Sequence, residues 1–571
     1  MQRGPDSAGT LSNFGGLGRV GLRGVALLAP LLLVAIIASS VAAAEGDLEG
    51  DILHKAMRDE MNRSMARLKM DDLESPYYLE YTVSDSSSES VSAAFGGLTW
   101  TGKRRWRRLA TDLRVGDYTF DNTNFQGGRN RGSASLVIED NYDAIRHSIW
   151  LATDQAYKAA VEVFASKQAV VKRQNLGELP DDFTRAEQHE YVAEPLKLTV
   201  DRKEWEQRVK RLSAIFREFP GIQDSSVSWG ASVTNQYFVN SEGFQNRWGD
   251  GRVSLTARAE TQAEDGMALA DSVTFRSALD KGLPAEEEMA EKIRDLAKGL
   301  TARAEARGPE DYTGPVLLTG GASAQFFQQL LLQNLTNPRT PLFRDEGGAR
   351  RFRGPRLVKR LGKRILPKTY RVIDDPTIDE WEGQALLGSY PVDDEGLAPQ
   401  KVSLVEGGKL KNLLMSRVPT ESTTGSNGHG RGVGRSIGSP TNVIIQSSEP
   451  VSEEDLLAAL RELCEDEGLE YGIVVRKNFS SGRSRGSHRM AAYRVYAEDG
   501  RVEPSRGLTF DGVTISLLKD IEASGESKRA THFSSGSVSV VAPSILIEEM
   551  DLRKPPPQTE KGRYLRHPAF E

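Results

Sequence analysis

A glycine-rich stretch, SNGHGRG at residues 426–432, combines side chains that could do chemistry with a backbone that no helix or strand easily absorbs. His429 brings an imidazole and Arg431 a guanidinium, and the three glycines allow positive φ and close approach to another group. Three interpretations fit: a metal-binding or catalytic histidine, a cradle for an anionic or peptide ligand, and a plain mobile loop. Nothing indicates a carboxylate that would orient a Ser426–His429 pair, which disfavours nucleophilic catalysis.

Three consecutive acids, Asp393, Asp394 and Glu395, form the densest acidic group in an ordered motif. Carboxylates so placed could serve as general bases or as ligands for a hard metal ion. The structural interpretation is favoured, in which DDEG is a turn whose acids accept backbone N–H bonds and whose Gly396 takes an unusual φ. The other histidines occur singly, without H-x-x-x-H or H-x-H spacing: His54, His147, His189, His488, His532 and His567.

The elements that position these stretches follow from hydrophobic periodicity. Residues 401–417 alternate about Gly407–Gly408 and predict a hairpin that leads into the glycine-rich loop. Residues 316–335 predict a short strand followed by a helix. Earlier in the chain, apolar spacing predicts helices over 51–70, 142–168, 201–219 and 284–306, and short alternating runs over 77–84, 90–100 and 104–116.

Residues 227–262 read as a strand meander that turns at Asn240–Gly243 and again at Gly249–Gly251. The segment RGPEDYTGP, residues 307–315, has the composition of a linker. We therefore expect an α+β fold of two domains with largely antiparallel sheets, residues 45–306 and 307–571.

The start of the chain has the order of a secretory signal. Arg3, Arg19 and Arg23 precede an apolar run over 24–44 that ends in three alanines. This predicts a signal peptide over residues 1–44 and an exported protein of the periplasm or cell envelope, with no stable membrane span after cleavage. An uncleaved signal anchor is the alternative.

Composition sets two further limits. The single cysteine, Cys464, lies at helical spacing with neighbouring leucines and is expected to be a core thiol, so the fold holds no internal disulfide. The formal net charge of −6 argues against a dedicated nucleic-acid binder. The basic run over 103–108 is accordingly interpreted as a solvated strand face, and we expect no nucleic-acid partner.

The stretch over residues 386–432 resembles the C-terminal domain of the TldD/PmbA family, whose older members were called modulators of DNA gyrase. The segments QYFVNSEG, residues 236–243, and LGKRILPKTYRVIDDPT, residues 361–377, are similar to further motifs of that family. The resemblance implies its two-domain fold and a dimer that encloses a peptide channel.

In active members of the family, a helix carrying H-E-x-x-x-H supplies two zinc ligands and a glutamate base, and a cysteine in a later C-G-x-G-G-like segment supplies the third ligand. By resemblance, Thr319 and Ala324 stand at the histidine positions and Gly320 at the glutamate position. The corresponding later segment, residues 474–486, has no cysteine. The resemblance therefore implies the PmbA (TldE) branch, which keeps the fold without the metal site and partners a zinc-bearing TldD subunit.

These considerations predict no cofactor and a non-catalytic subunit that binds extended peptides together with a TldD-like partner or with itself as a homodimer. The candidate cleft residues are Asp393, Asp394, Glu395, Asn427, His429 and Arg431. An active peptidase with unconventional metal ligands, drawn from the acids at 393–395 and His429, is the alternative function.

Overall fold

The computed structural model describes residues 47–554 apart from 71–72, 127–130, 188, 353, 422, 433–435, 478, 480–489 and 534–536. The predicted signal over residues 1–44 lies outside the described residues. The described residues belong to one compact unit. It contains two large sheets, one formed before residue 279 and the other after residue 311, so the predicted boundary at 306/307 falls between them, although the division into two domains stays a prediction.

The first sheet has six antiparallel strands in the order β3-β2-β1-β4-β5-β6. Their bounds are β1 Pro76–Ala94, β2 Gly97–Val115, β3 Arg131–Leu136, β4 Asp224–Asn240, β5 Gln245–Gln262 and β6 Ala268–Ala278. The predicted short runs near its start are in fact two 19-residue strands, β1 and β2. They join at Phe95–Gly96, where both residues have positive φ.

The predicted turn at Gly249–Gly251 is wrong, because β5 continues through it and Gly251 pairs with Val233. These glycines serve close packing instead. A Cβ at Gly249 would lie 2.5 Å from Cγ of Leu196, so the segment that crosses this strand could not lie where it does. The turn predicted at Asn240–Gly243 is present, with β4 ending at Asn240 and Gly243 at φ +97°.

One face of the first sheet is apolar and covered by four helices, α1 Ile52–Arg67, α2 Tyr142–Gln174, α3 Arg202–Ala214 and α4 Glu286–Glu305. The first three of these helices have side-chain N-caps, in which the capping side chain accepts a hydrogen bond from the backbone N–H three residues later. The caps are Asp51, Asn141 and Asp201. Because strand side chains alternate, the other face carries the intervening polar residues.

The second sheet has eleven strands, nine of them in the order β12-β11-β8-β15-β21-β7-β16-β17-β18, with β19 and β20 also paired to β21. Their bounds are β7 Tyr312–Leu318, β8 Tyr370–Asp374, β11 Val402–Glu406, β12 Lys409–Leu410, β15 Asn442–Ser447, β16 Tyr471–Lys477, β17 Ala491–Tyr496, β18 Val502–Ser505, β19 Thr509–Asp511, β20 Ile521–Phe533 and β21 Val538–Arg553. Two small ladders pair β9 Glu380–Trp381 with β10 Gln384–Ala385, and β13 Gly430–Arg431 with β14 Ile437–Gly438.

Three further helices accompany this sheet: α5 Gly320–Leu330, α6 Glu346–Arg351 and α7 Glu453–Asp466. The predicted hairpin at Gly407–Gly408 is confirmed as β11–β12. The expected α+β class with largely antiparallel sheets is also confirmed. Among the paired strands of the described residues, β15–β21 and β7–β16 run parallel. Cys464 lies on α7 and is buried, as its spacing predicted. None of the helices formed by the described residues is long and apolar enough to cross a membrane.

Candidate functional site

The strand-to-helix junction after β7 is where the family resemblance places the metal ligands. β7 lies beside β16, with Leu318 opposite Val475. The Thr319 backbone N–H then donates a 2.9 Å hydrogen bond to the Val475 carbonyl. The fold thus brings residues 319–324 next to the end of β16, as expected for a site built from both segments. Residues 478 and 480–489, on which the third ligand would fall, lie outside the described residues.

The side chains at this junction do not fit a zinc site. Zinc in proteins takes imidazole, thiolate or carboxylate ligands, and Thr319, Gly320 and Ala324 provide none of these groups. Thr319 is the N-cap of α5, with non-helical φ and ψ of −122° and 157°. Gly320 has φ +52°, a conformation in which a glutamate would be strained. Ala324 is fully buried in the apolar core of the second sheet.

The acidic stretch forms a buried turn. One oxygen of Asp393 accepts hydrogen bonds from the backbone N–H groups of Glu395 and Leu397, at 3.0 and 2.8 Å, and the other accepts from the Gly430 N–H at 3.1 Å. Burial raises the pKa of Asp393 to about 7. Gly396 has φ +82°, and a Cβ there would lie 2.8 Å from the ring of Phe244. These contacts are those of a turn held by its own acids.

Glu395 contacts Arg417, a residue that no sequence motif singles out. Its carboxylate accepts the Arg417 backbone N–H at 2.8 Å, and burial raises its pKa well above the usual range. The Arg417 guanidinium donates to the Glu242 carboxylate at 2.8 Å and to the Thr184 carbonyl at 2.6 Å, and it stacks over the Phe183 ring. Glu242 lies 175 residues earlier in the chain, so no local pattern could have identified the pair.

His429 is buried rather than displayed. Its Nδ1 lies 2.9 Å from the Asn427 carbonyl, and its Nε2 lies 3.8 Å from Oδ1 of Asp374. Burial disfavours the imidazolium, but the nearby negative charge of Asp374 outweighs this effect and the pKa of His429 is raised. Asp374 also accepts hydrogen bonds from the backbone N–H groups of Thr441 and Asn442, both at 2.9 Å. This imidazole therefore contributes to an internal polar network.

The six candidate cleft residues differ in accessibility. Asp393, Glu395, Asn427 and His429 are buried, and Asn427 uses its side chain to bond Met415 and Leu413. Asp394 and Arg431 are partly exposed and form an ion pair at 3.1 Å, with Arg431 lying over the Tyr390 ring. Contact with a peptide at this turn would involve these two side chains and stays a prediction.

The alternative function needs a metal site built from the acids at 393–395 and His429. Within the part of the chain that the structure describes, no three His, Cys, Asp or Glu side chains stand together so that they could hold a metal ion. The acids at 393–395 and His429 therefore do not form such a group. Asp393 and Asp394 instead accept hydrogen bonds from the backbone N–H groups of Gly430 and Gly432, in the loop that contains His429. Glu395 accepts from the backbone N–H of Arg417.

A protein-family model matches the part of the chain that forms the second sheet and its helices. Residues 312–554 match the PmbA/TldA metallopeptidase C-terminal domain. A metalloprotease of Archaeoglobus fulgidus is 29% identical over 173 residues, which are 30% of this chain and 38% of that protein. One from Methanothermobacter thermautotrophicus is 29% identical over 177 residues, 30% of this chain and 36% of the relative. In both cases the similarity covers less than two fifths of the relative's own length.

Solved structures resemble most of the chain. A protein from Thermotoga maritima described as a modulator of DNA gyrase gives a TM-score of 0.58 at 15% identity, covering 87% of this chain and 100% of the other. A protein from Bacteroides thetaiotaomicron with a similar description gives 0.58 at 15%, covering 88% and 98%. TldE from Thermococcus kodakarensis gives 0.55 at 15%, covering 87% and 99%. At this identity the likeness establishes the fold.

Proposed function

We infer from the match of residues 312–554 that this chain belongs to the PmbA/TldD family of metallopeptidase-related proteins, and on that premise we propose that it is a non-catalytic, TldE-like subunit. In this proposal it binds extended peptides and presents them to a zinc-bearing relative. The partner is a TldD-like chain with an intact H-E-x-x-x-H motif, and a homodimer is the alternative assembly.

The junction at residues 319–324 is the observation that carries the proposal. A zinc peptidase needs ligands that hold the metal and a carboxylate that takes a proton from the bound water. Neither Thr319 nor Ala324 provides a usual ligand, and Gly320 provides no side chain at all. The positive φ of Gly320 further supports the proposal, because a glutamate at this position would be strained.

The edge of the first sheet supports peptide binding. β6 has one strand neighbour, β5, and among the described residues its outer side makes no backbone hydrogen bond to a further strand. Such an edge exposes N–H and C=O groups with which an extended peptide can pair.

Reconstitution of the two-subunit enzyme tests the proposal. The chain over residues 45–571 is co-expressed with a homologue from the same genome that carries H-E-x-x-x-H, and peptide hydrolysis is measured for each chain alone and for the pair. We expect hydrolysis to need the homologue, to increase when this chain is added, and to stop when the motif's glutamate is changed to glutamine. EDTA-sensitive hydrolysis by this chain alone would overturn the proposal.

We also propose that the protein is exported, on the order of arginines, apolar run and alanines over residues 3–44. N-terminal sequencing of the protein from its native host is expected to begin at Glu45. A start at Met1 would support the signal anchor instead.

A further inference from the structure

A cavity of about 330 Å³ opens on the polar face of the first sheet. Across the strands, Ser88 lies opposite Ser232 and then Arg252, and in the next row Ser90 lies opposite Gly230, Ser254 and then Arg276. Leu387, which follows β10, also lines the cavity. The floor thus consists of small hydroxyl side chains, a glycine and two arginines.

The sequence contains a periodic signal for this face. Serine occupies every second position of β1 from residue 84 to residue 92, and alternate strand residues share a face. Glu89 also lines the cavity. Because it lies between two of these serines in the strand, its side chain points to the opposite face, where it pairs with Lys103 at 3.3 Å. Its carboxylate therefore does not neutralise the cavity.

Arg276 carries a positive charge that its surroundings leave unbalanced. It is half-buried, and burial lowers its pKa, yet it forms no ion pair with an Asp or Glu among the residues that the structure describes. Arg252 differs, because it donates to Asp250 at 2.7 Å and to the Leu387 carbonyl at 2.9 Å. A partly desolvated charge without a partner is costly, so the cavity is electrostatically suited to one anion.

His532, on β20, lies close enough to the two arginines for their positive charges to change its pKa. Burial, followed by the charges of Arg276 and Arg252, lowers its pKa to about 4. Its Nδ1 lies 3.0 Å from the Ser539 hydroxyl, and its imidazole is neutral at pH 7. A neutral ring can accept or donate a hydrogen bond beside the arginines without adding charge.

We propose that this cavity binds one carboxylate of a peptide, with Arg276 as the charged donor and the hydroxyls of Ser90 and Ser254 as neighbouring hydrogen-bonding groups. A single unbalanced guanidinium matches a singly charged, planar carboxylate better than a phosphate dianion. The carboxylate comes from the peptide's C-terminus or from an acidic side chain. This inference rests on the proposed peptide binding and names the group by which a peptide is anchored.

Binding of peptide pools tests it. The chain over residues 45–571 is titrated with random octapeptides that have free or amidated C-termini, each pool prepared with and without Asp and Glu. The variants are Arg276→Gln, Arg276→Lys and, as a matched control on the same face, Arg258→Gln, whose partner is Glu260. Circular dichroism and melting temperature verify that each variant is folded.

We expect at least tenfold weaker binding to Arg276→Gln, an intermediate loss for Arg276→Lys because its ammonium cannot bond both oxygens, and no change for Arg258→Gln. Weakening by amidation identifies the C-terminus as the source, and weakening by omission of Asp and Glu identifies a side chain. Equal binding of every pool to wild type and Arg276→Gln would overturn the anchor but leave peptide binding intact. No binding of any pool by wild type would overturn the proposed peptide binding and, with it, the anchor.

Discussion

The guanidinium of Arg417 lies 2.8 Å from the carboxylate of Glu242, and this ion pair joins the loop after β12 to the turn between β4 and β5. Arg417 is fully buried, and Glu80 and Glu395 also lie within its electrostatic reach. One guanidinium therefore lies among acidic side chains from β1, from the turn after β4 and from the turn at residues 393–396.

Removing Arg417 should strongly destabilise the fold. The variant Arg417→Met removes the buried positive charge that pairs with the Glu242 carboxylate, and we expect a loss of about 3–5 kcal/mol in the free energy of unfolding, as measured in urea. Arg431→Met is the matched control, because the Arg431–Asp394 pair is more exposed and should cost below about 1 kcal/mol. Equal effects of the two changes would contradict a central role for Arg417.

Gly320 should resist substitution because of its backbone. With φ at +52°, a side chain there adopts the left-handed conformation, and Gly320→Ala should cost about 1–2 kcal/mol. The next residue offers a control in the same surroundings, since a Cβ would lie 3.7 Å from the Arg476 carbonyl oxygen at Gly320 and 3.9 Å at Gly321. Gly321→Ala, inside α5, should be neutral or stabilising by up to about 1 kcal/mol. Thermal unfolding of both variants would reveal whether the conformation, rather than space, is what requires glycine.

His532 should make the protein less stable as the pH falls below about 6.5. Its folded pKa, about 4, is below the value of about 6.5 in an unfolded chain, so the unfolded state binds the extra proton between these values. The stability it contributes is present above pH 6.5 and is lost as the pH falls towards 4. Between pH 7 and pH 5, wild type should lose about 1–2 kcal/mol more than His532→Gln in urea unfolding.

Arg276→Gln should raise the His532 pKa, since it removes one of the two charges that lower it. Proton NMR of the histidine rings, with His532→Gln for assignment, measures this directly. An unchanged His532 pKa would contradict the placement of the two side chains in one field.

The elements were largely predictable because their signals are local. Apolar spacing marked α1, α2, α3, α4 and α7 correctly, and the glycine pair at 407–408 marked the β11–β12 hairpin. The lengths of the strands were not predictable from the sequence. β1 and β2 run without interruption through polar and charged residues, which local rules treat as breaks. Gly249 and Gly251 gave a wrong turn prediction for a related reason. These positions need glycine because Leu196 and Leu279, which are distant in sequence, pack closely against them.

The candidate site was predictable only in part. The DDEG stretch was recognisable as a turn, because its acids bond backbone groups a few residues away as well as the loop that the sequence places after the hairpin. The burial of His429 was not predictable, since the carboxylate beside it, Asp374, comes from β8, which no local pattern around residue 429 indicates. Arg417 and Arg276 carried no motif, and their importance arises from partners gained or lacking in three dimensions.

Zinc content of the purified chain tests the central claim most directly. Native mass spectrometry of residues 45–571 after incubation with zinc should show the metal-free mass, and EDTA should leave the melting temperature unchanged, because a tightly bound metal at a thousandfold excess over its Kd would stabilise the fold by about 4 kcal/mol. Thr319→His with Ala324→His should not create peptidase activity, since the glutamate is still missing. The account would be contradicted by two results together. The chain would bind about one zinc and show an EDTA-sensitive peptidase activity, and the double variant His429→Ala, Asp393→Asn would lose both.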